Sequence, residues 1–185
     1  MKNLFYLILS FTLINCVSES PSCPTELSSE AKEIAPYTMH QNIEMKDQDG
    51  NRYLGVVSAQ ATNKTLLSIS SVGCELYELE EKEDNITFEN FKLVSKLKSS
   101  PEQDKISFAF QYIENDVVIR YFDIYDIPVN AFRDIIYDGK NFENVVIAYA
   151  GSGYIDAPVI LLFSKNNGIE YIQFSSNKTL QLVHE

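Results

Sequence analysis

Lys105-Ile106-Ser107-Phe108-Ala109-Phe110-Gln111-Tyr112 decides the fold. Its large apolar side chains fall on every second residue, with small or polar residues between them. A strand points successive side chains to opposite faces, so a period of two builds one apolar face and one wetter face. The turn Lys98-Ser99-Ser100-Pro101-Glu102-Gln103-Asp104 precedes it. Glu114-Asn115-Asp116 follows it and leads into a further strand over residues 117–125.

The same grammar continues to the C-terminus. Ile135-Ile136-Tyr137 and Val145-Val146-Ile147-Ala148-Tyr149 flank Asp138-Gly139, and residues 158–163 and 169–174 flank Asn166-Asn167-Gly168. Asp-Gly and Asn-Gly accept positive φ and favour hairpins. Thr179-Leu180-Gln181-Leu182-Val183 supplies the last strand. Towards the N-terminus, Ile43 and Met45 alternate with polar residues, Asp47-Gln48-Asp49-Gly50-Asn51 turns the chain, and Tyr53-Leu54-Gly55-Val56-Val57 returns. Two strands are expected over 65–72 and 74–79, broken near Gly73, and the acidic run 78–85 reads as a solvated loop. Ile86, Phe88, Phe91 and Leu93 suggest one more strand, although their spacing does not keep to one face. Residues 25–35 read as the single helix, with Leu27, Ala31 and Ile34 on one face and Pro36 ending it. Roughly ten short strands and one helix predict a mainly β fold, an antiparallel β-sandwich or open barrel with one short N-terminal helix.

The first sixteen residues give an address. Lys2 precedes an apolar run that is too short to span a bilayer and suits a secretory signal. Leu13-Ile14-Asn15-Cys16 looks like a bacterial lipobox, with Asn15 where a small residue is usual. The expected organisation is a signal peptide over 1–15, lipidated Cys16 with a tether over 16–24, and a single β-rich domain over 25–185. Several acyl chains on Cys16, at about 0.8 kcal/mol per buried methylene, would anchor the chain without a transmembrane helix. Glu19, soon after that cysteine, faintly resembles a surface-export signal, so the expected location is the cell envelope, at the outer membrane, with the leaflet open.

The chain carries 15 Lys and Arg against 26 Asp and Glu, a net charge of −11, and loss of Lys2 makes the remainder more acidic still. Binding nucleic acid requires neutralising phosphates with Lys and Arg, so that partner class is excluded. Peripheral docking on anionic lipid is disfavoured for the same reason. With Cys16 assigned to lipid, Cys23 and Cys74 remain, either as a disulfide or as two unpaired thiols. A bridge would close a loop of about fifty residues and stabilise by roughly 4 kcal/mol on the chain-entropy model.

The order of features resembles the small uncharacterised lipoproteins common in Bacteroidetes. The matching pieces are the lipobox, Ala35-Pro36-Tyr37, Asp49-Gly50-Asn51, Cys74, residues 138–145 and Leu162-Phe163-Ser164-Lys165-Asn166-Asn167-Gly168-Ile169. They spread over most of residues 35–183. The resemblance implies an anchored β-domain and no particular activity.

Tests for chemistry return little. Gly151-Ser152-Gly153 lacks the longer nucleophile elbow and its strand-turn-helix setting. His40 and His184 sit beside no nucleophile in sequence. An EF-hand loop starting at Asp47 would need Gly and Glu at its sixth and twelfth positions, which are Arg52 and Ser58. A looser carboxylate site in that turn stays open. Asp123/Asp126 and Asp134/Asp138 could in principle pair as acid and base, but the carboxylate separation such chemistry requires is not legible in sequence, so solvated turns are the default reading. There is no phosphate-binding glycine loop, and neither a metal nor a cofactor is expected.

Two functions remain. One is a noncatalytic binding or structural lipoprotein that meets an envelope protein through loops or sheet, using Tyr53, Tyr77, Tyr121, Tyr125, Tyr154 and Tyr171. The alternative is a carrier of a small apolar ligand in an open β-barrel, lined by Ile106, Phe108, Phe110, Tyr112, Leu161 and Phe163. Those six serve equally well as a solid core.

Overall fold

The computed structural model describes residues 22–67, 76–115, 117–150 and 156–184. The chain forms one open, curled, antiparallel sheet, a half-barrel. Its strands are β1 (Ser22–Thr25), β2 (Asn42–Asp47), β3 (Arg52–Leu67), β4 (Leu76–Phe88), β5 (Phe91–Lys98) and β6 (Lys105–Glu114), followed by β7 (Val117–Pro128), β8 (Arg133–Tyr137), β9 (Lys140–Tyr149), β10 (Pro158–Ser164), β11 (Gly168–Phe174) and β12 (Thr179–Leu182). The order across the sheet is β7-β6-β5-β4-β3-β2-β12-β11-β10-β9-β8, and β1 adds to β4 in parallel. Sequential hairpins therefore run outward in both directions from the β2–β12 seam, where the two ends of the domain meet. The curl brings β7 within 8 Å of β9, Cα to Cα.

Alternation along β6 becomes an inner face. Ile106, Phe108 and Phe110 are fully buried, and Phe108 meets Phe163 of β10 at 5.0 Å between ring centroids. Those rings come from well-separated positions in the sheet, so side chains fill the middle of the curl. Each such ring contributes about 1.5–3 kcal/mol by leaving water. A second, smaller cluster lies apart from this core, where Phe142, Val145, Leu162 and Tyr171 are covered by Ile135 and Tyr137 of β8.

The helix is shorter than the sequence suggests. Only Ser29–Lys32, here α1, is α-helical, with Ser28 accepting from the Ala31 amide as N-cap. The preceding amides are taken elsewhere: Leu27 donates to Glu80 Oε2 at 3.0 Å and Ser28 to Asp104 Oδ2 at 2.7 Å. Pro36 disfavours helix at the residue before it. Leu27, Ala31 and Ile34 are nonetheless all buried in the main core, so the segment plugs one end of the half-barrel.

The acidic run is a strand, not a loop. Residues 78–85 belong to β4, which pairs with β3 on one side and β5 on the other. Lysines on both neighbours meet it: Lys64–Glu78 at 3.1 Å, Lys98–Glu81 at 3.2 Å and Lys96–Glu83 at 2.9 Å. The pairing of opposite charges across strands is what permits so acidic a strand. Residues 52–67 form one long strand where a break was expected, and β4 begins at Leu76. Gly73 lies outside the described residues. The awkward spacing of Ile86, Phe88, Phe91 and Leu93 is explained by a two-residue turn at Glu89-Asn90, which restarts the alternation in β5.

Candidate functional site

Antiparallel hairpins put alternate turns at the same end of a sheet. Here the β2–β3, β4–β5 and β11–β12 turns gather with the end of β6 and Asp156 around a cleft of about 600 Å³. Its wall is aromatic, made by Tyr53, Phe88, Phe91, Tyr112 and Phe174, and its rim is polar, with Asn51, Arg52, Glu89, Asn90, Ser176 and Lys178.

The wall is braced from below. Phe88 stacks on Phe91 at 4.3 Å and Phe91 on Phe110 at 4.9 Å, continuing the cleft wall into the core. Gly55 lies directly under Phe88, where a Cβ would fall 2.6 Å from the ring. Tyr112 contacts Phe110 edge-on and donates its hydroxyl to the Asp156 carbonyl at 2.5 Å. Burial, with the Asp156 charge adding, pushes the Tyr112 phenol up to about 12, while Arg120 works against the shift.

The opposite side is fixed by the first hairpin turn. Asp47 Oδ1 accepts from the Asp49 and Asn51 amides, and Oδ2 from the Asn51 side chain and the Tyr53 hydroxyl. The Asn51 side-chain amide, with these other donors, holds the Asp47 carboxyl below its ordinary range, against the effect of burial. Lys178 donates to the Tyr53 hydroxyl at 2.8 Å and stands 4.6 Å from the ring centroid. The carboxylate that raised the question of calcium is thus occupied by protein donors. Among the described residues, no group of three or more His, Cys, Asp or Glu is placed to hold a metal ion.

The six candidate lining residues divide. Ile106, Phe108, Phe110, Leu161 and Phe163 lie together in the main core, and Tyr112 reaches the cleft. Cys23 lies on β1, while Cys16 and Cys74 fall outside the described residues, so the lipidation and disulfide readings do too. Of the tyrosines, Tyr53 lines the cleft, Tyr121 is exposed and Tyr171 is buried in the second cluster. Tyr154 and the Gly151-Ser152-Gly153 loop are outside the described residues.

His184 comes to a serine only indirectly. Glu170, almost fully buried, accepts from Ser164 Oγ at 2.8 Å and Asn167 Nδ2 at 2.8 Å, and its Oε2 lies 3.0 Å from His184 Nε2. The acid stands between serine and imidazole, whereas a nucleophilic triad needs the imidazole in the middle. His40 is an exposed turn residue at φ 64°. Asp134 caps the Asn144 amide at 2.9 Å, and Asp138 takes a positive φ in the β8–β9 turn.

Sequence reasoning missed Arg52, Phe88, Phe91, Asp156, Phe174 and Lys178 as cleft residues. Their signal was the parity of the turns: in a meander, every second turn shares an end. No family model, curated protein or solved structure matches the chain.

Proposed function

We propose that this chain is a lipid-anchored, noncatalytic binding module of the cell envelope, and that the cleft at the end of the half-barrel is its binding site. The observation that carries this reading is a small-molecule-sized cleft with an aromatic wall and a polar rim, above a core filled by side chains. Arg52 and Lys178 stand against Glu89 and Asp156 among its lining residues, so the ligand class that fits has an apolar face, hydrogen-bonding groups at its edge and little net charge. Cys16 supplies the anchor in this reading. The carrier alternative draws on the same cleft: a small apolar ligand would sit against Phe88, Phe91 and Tyr112, because Phe108, Phe110 and Phe163 occupy the interior.

The test is native mass spectrometry of residues 17–185, produced in a periplasm and incubated with a whole-envelope extract. A discrete adduct on the wild type, lost in Tyr53→Ala, supports the cleft as the binding site. The adduct's chemistry then separates a polar ligand from a carried lipid. Equal native and denatured masses after the incubation overturn the small-ligand reading.

A further inference from the structure

The N-terminal exit and the cleft lie at opposite ends of the domain. The chain enters through β1, which runs parallel to β4 with Ser22 beside Leu76 and Thr25 beside Leu79. From Thr25 it is clasped to the plugged end: Ser99, fully buried, donates from Oγ to the Thr25 carbonyl at 2.6 Å and accepts the Glu80 amide at 2.7 Å. The cleft residue Phe88 closes the other end of β4. Twelve residue steps separate Leu76 from Phe88, and at ~3.3 Å per residue this is about 40 Å along the strand.

We propose that the cleft faces away from the anchoring bilayer and takes a water-borne ligand from the aqueous side. This rests on the anchoring at Cys16 proposed above. Five residues lie between Cys16 and Ser22, so the anchor reaches at most about 20 Å from β1 even when fully extended. That is half the run of β4, so Cys16 itself cannot be drawn level with the cleft while β1 stays paired. The excess of acidic residues opposes the domain lying down on an anionic leaflet, since the full chain's net charge of −11 becomes more negative once Lys2 leaves with the signal. The long β3–β4 hairpin then stands nearest the membrane, with exposed Leu66 beside the exit, and the cleft stands farthest from it.

The chain contains no tryptophan, so single tryptophans report position without background. Full-length lipidated protein, purified from membranes, is reconstituted into vesicles of phosphatidylethanolamine and phosphatidylglycerol that carry nitroxide-labelled lipid. Glu89→Trp marks the cleft rim and Leu66→Trp the hairpin. The expected result is quenching by labelled lipid several-fold stronger for Leu66→Trp than for Glu89→Trp, with soluble iodide quenching Glu89→Trp freely. Asn90→Trp, on the same exposed turn, replaces Glu89→Trp if that variant does not fold. Equal lipid quenching at both sites overturns the orientation while leaving the anchor standing. Failure of the wild type to float with vesicles, matched by Cys16→Ala, overturns the anchor and the orientation with it.

Discussion

The hydroxyl of Tyr37 sits directly over Gly168 and accepts a hydrogen bond from the Ile169 amide at 2.6 Å. A Cβ on residue 168 would fall 2.0 Å from that hydroxyl, and the backbone there holds φ at +77°. Glycine meets both conditions, and the buried amide that follows it gains its acceptor from a residue 132 positions earlier. Burial raises the Tyr37 phenol well above its ordinary pKa, although the Ile169 amide works the other way. The contact fastens the segment after α1 to the β10–β11 turn and closes the plugged end.

Removing the hydroxyl in Tyr37→Phe leaves the Ile169 amide buried without that acceptor, at a cost of about 1–3 kcal/mol. Gly168→Ala costs more than Tyr37→Phe, because it adds overlap to a strained φ. Urea unfolding followed by circular dichroism checks the order: both midpoints fall, and that of Gly168→Ala falls further.

Asp47 gives the first hairpin an acid-sensitive stability. Its folded pKa is depressed, so its contribution is present above the unfolded carboxylate value of about 4 and is lost as pH falls through the folded value. Asp47→Asn therefore lowers stability at neutral pH, and the difference from wild type shrinks as the pH is taken below 4. Thermal melts across an acid series measure it.

Tyr112 acts at the other extreme. With a folded pKa of about 12 against about 10 when unfolded, its contribution is intact below pH 10 and is lost as pH rises from 10 to 12. Tyr112→Phe shows a shallower alkaline fall in stability over that window. Tyrosinate absorbance in the wild type retains a late-titrating component that the variant reduces.

The acidic strand depends on its lysines. Lys96→Gln with Lys98→Gln removes two cross-strand partners of β4, each contributing up to about 1 kcal/mol and screened by salt. The double variant is less stable than wild type at low ionic strength, and the gap narrows in molar salt. A salt-independent gap of the same size would refute the electrostatic account.

Gly55→Ala links packing to the cleft. The added methyl meets the Phe88 ring at 2.6 Å and drives it out of its stack on Phe91, which costs about 1–3 kcal/mol in overpacking. Because Phe88 forms the cleft wall, any ligand adduct that native mass spectrometry detects on the wild type weakens in Gly55→Ala, along with the unfolding midpoint.

Local signals carried most of the strand map. Alternation at Ile106, Phe108 and Phe110 needs no partner to be visible, and Asp138-Gly139 marks its turn because both residues take positive φ. Three features were hidden because their causes are distant in sequence. Residues 78–85 look like a loop until Lys64, Lys96 and Lys98 arrive from neighbouring strands. The segment 25–35 reads as a full helix until Glu80 and Asp104 claim the amides of Leu27 and Ser28. The cleft has no motif, because its residues come from separate turns and share only an end of the sheet.

The sequence by itself determined that this chain is mainly β, which residues face inward along β6 and β10, and where most hairpins turn. Those properties follow from side-chain period and turn conformation, which act over a few residues. Only the tertiary structure decided that the strands make one curled sheet with its two ends joined at β2 and β12, that aromatic rings fill the middle, and that the cleft lies a strand's length from the N-terminal exit. Strand order and curvature depend on pairings between residues far apart in the chain, and no local pattern encodes which partner a strand will choose.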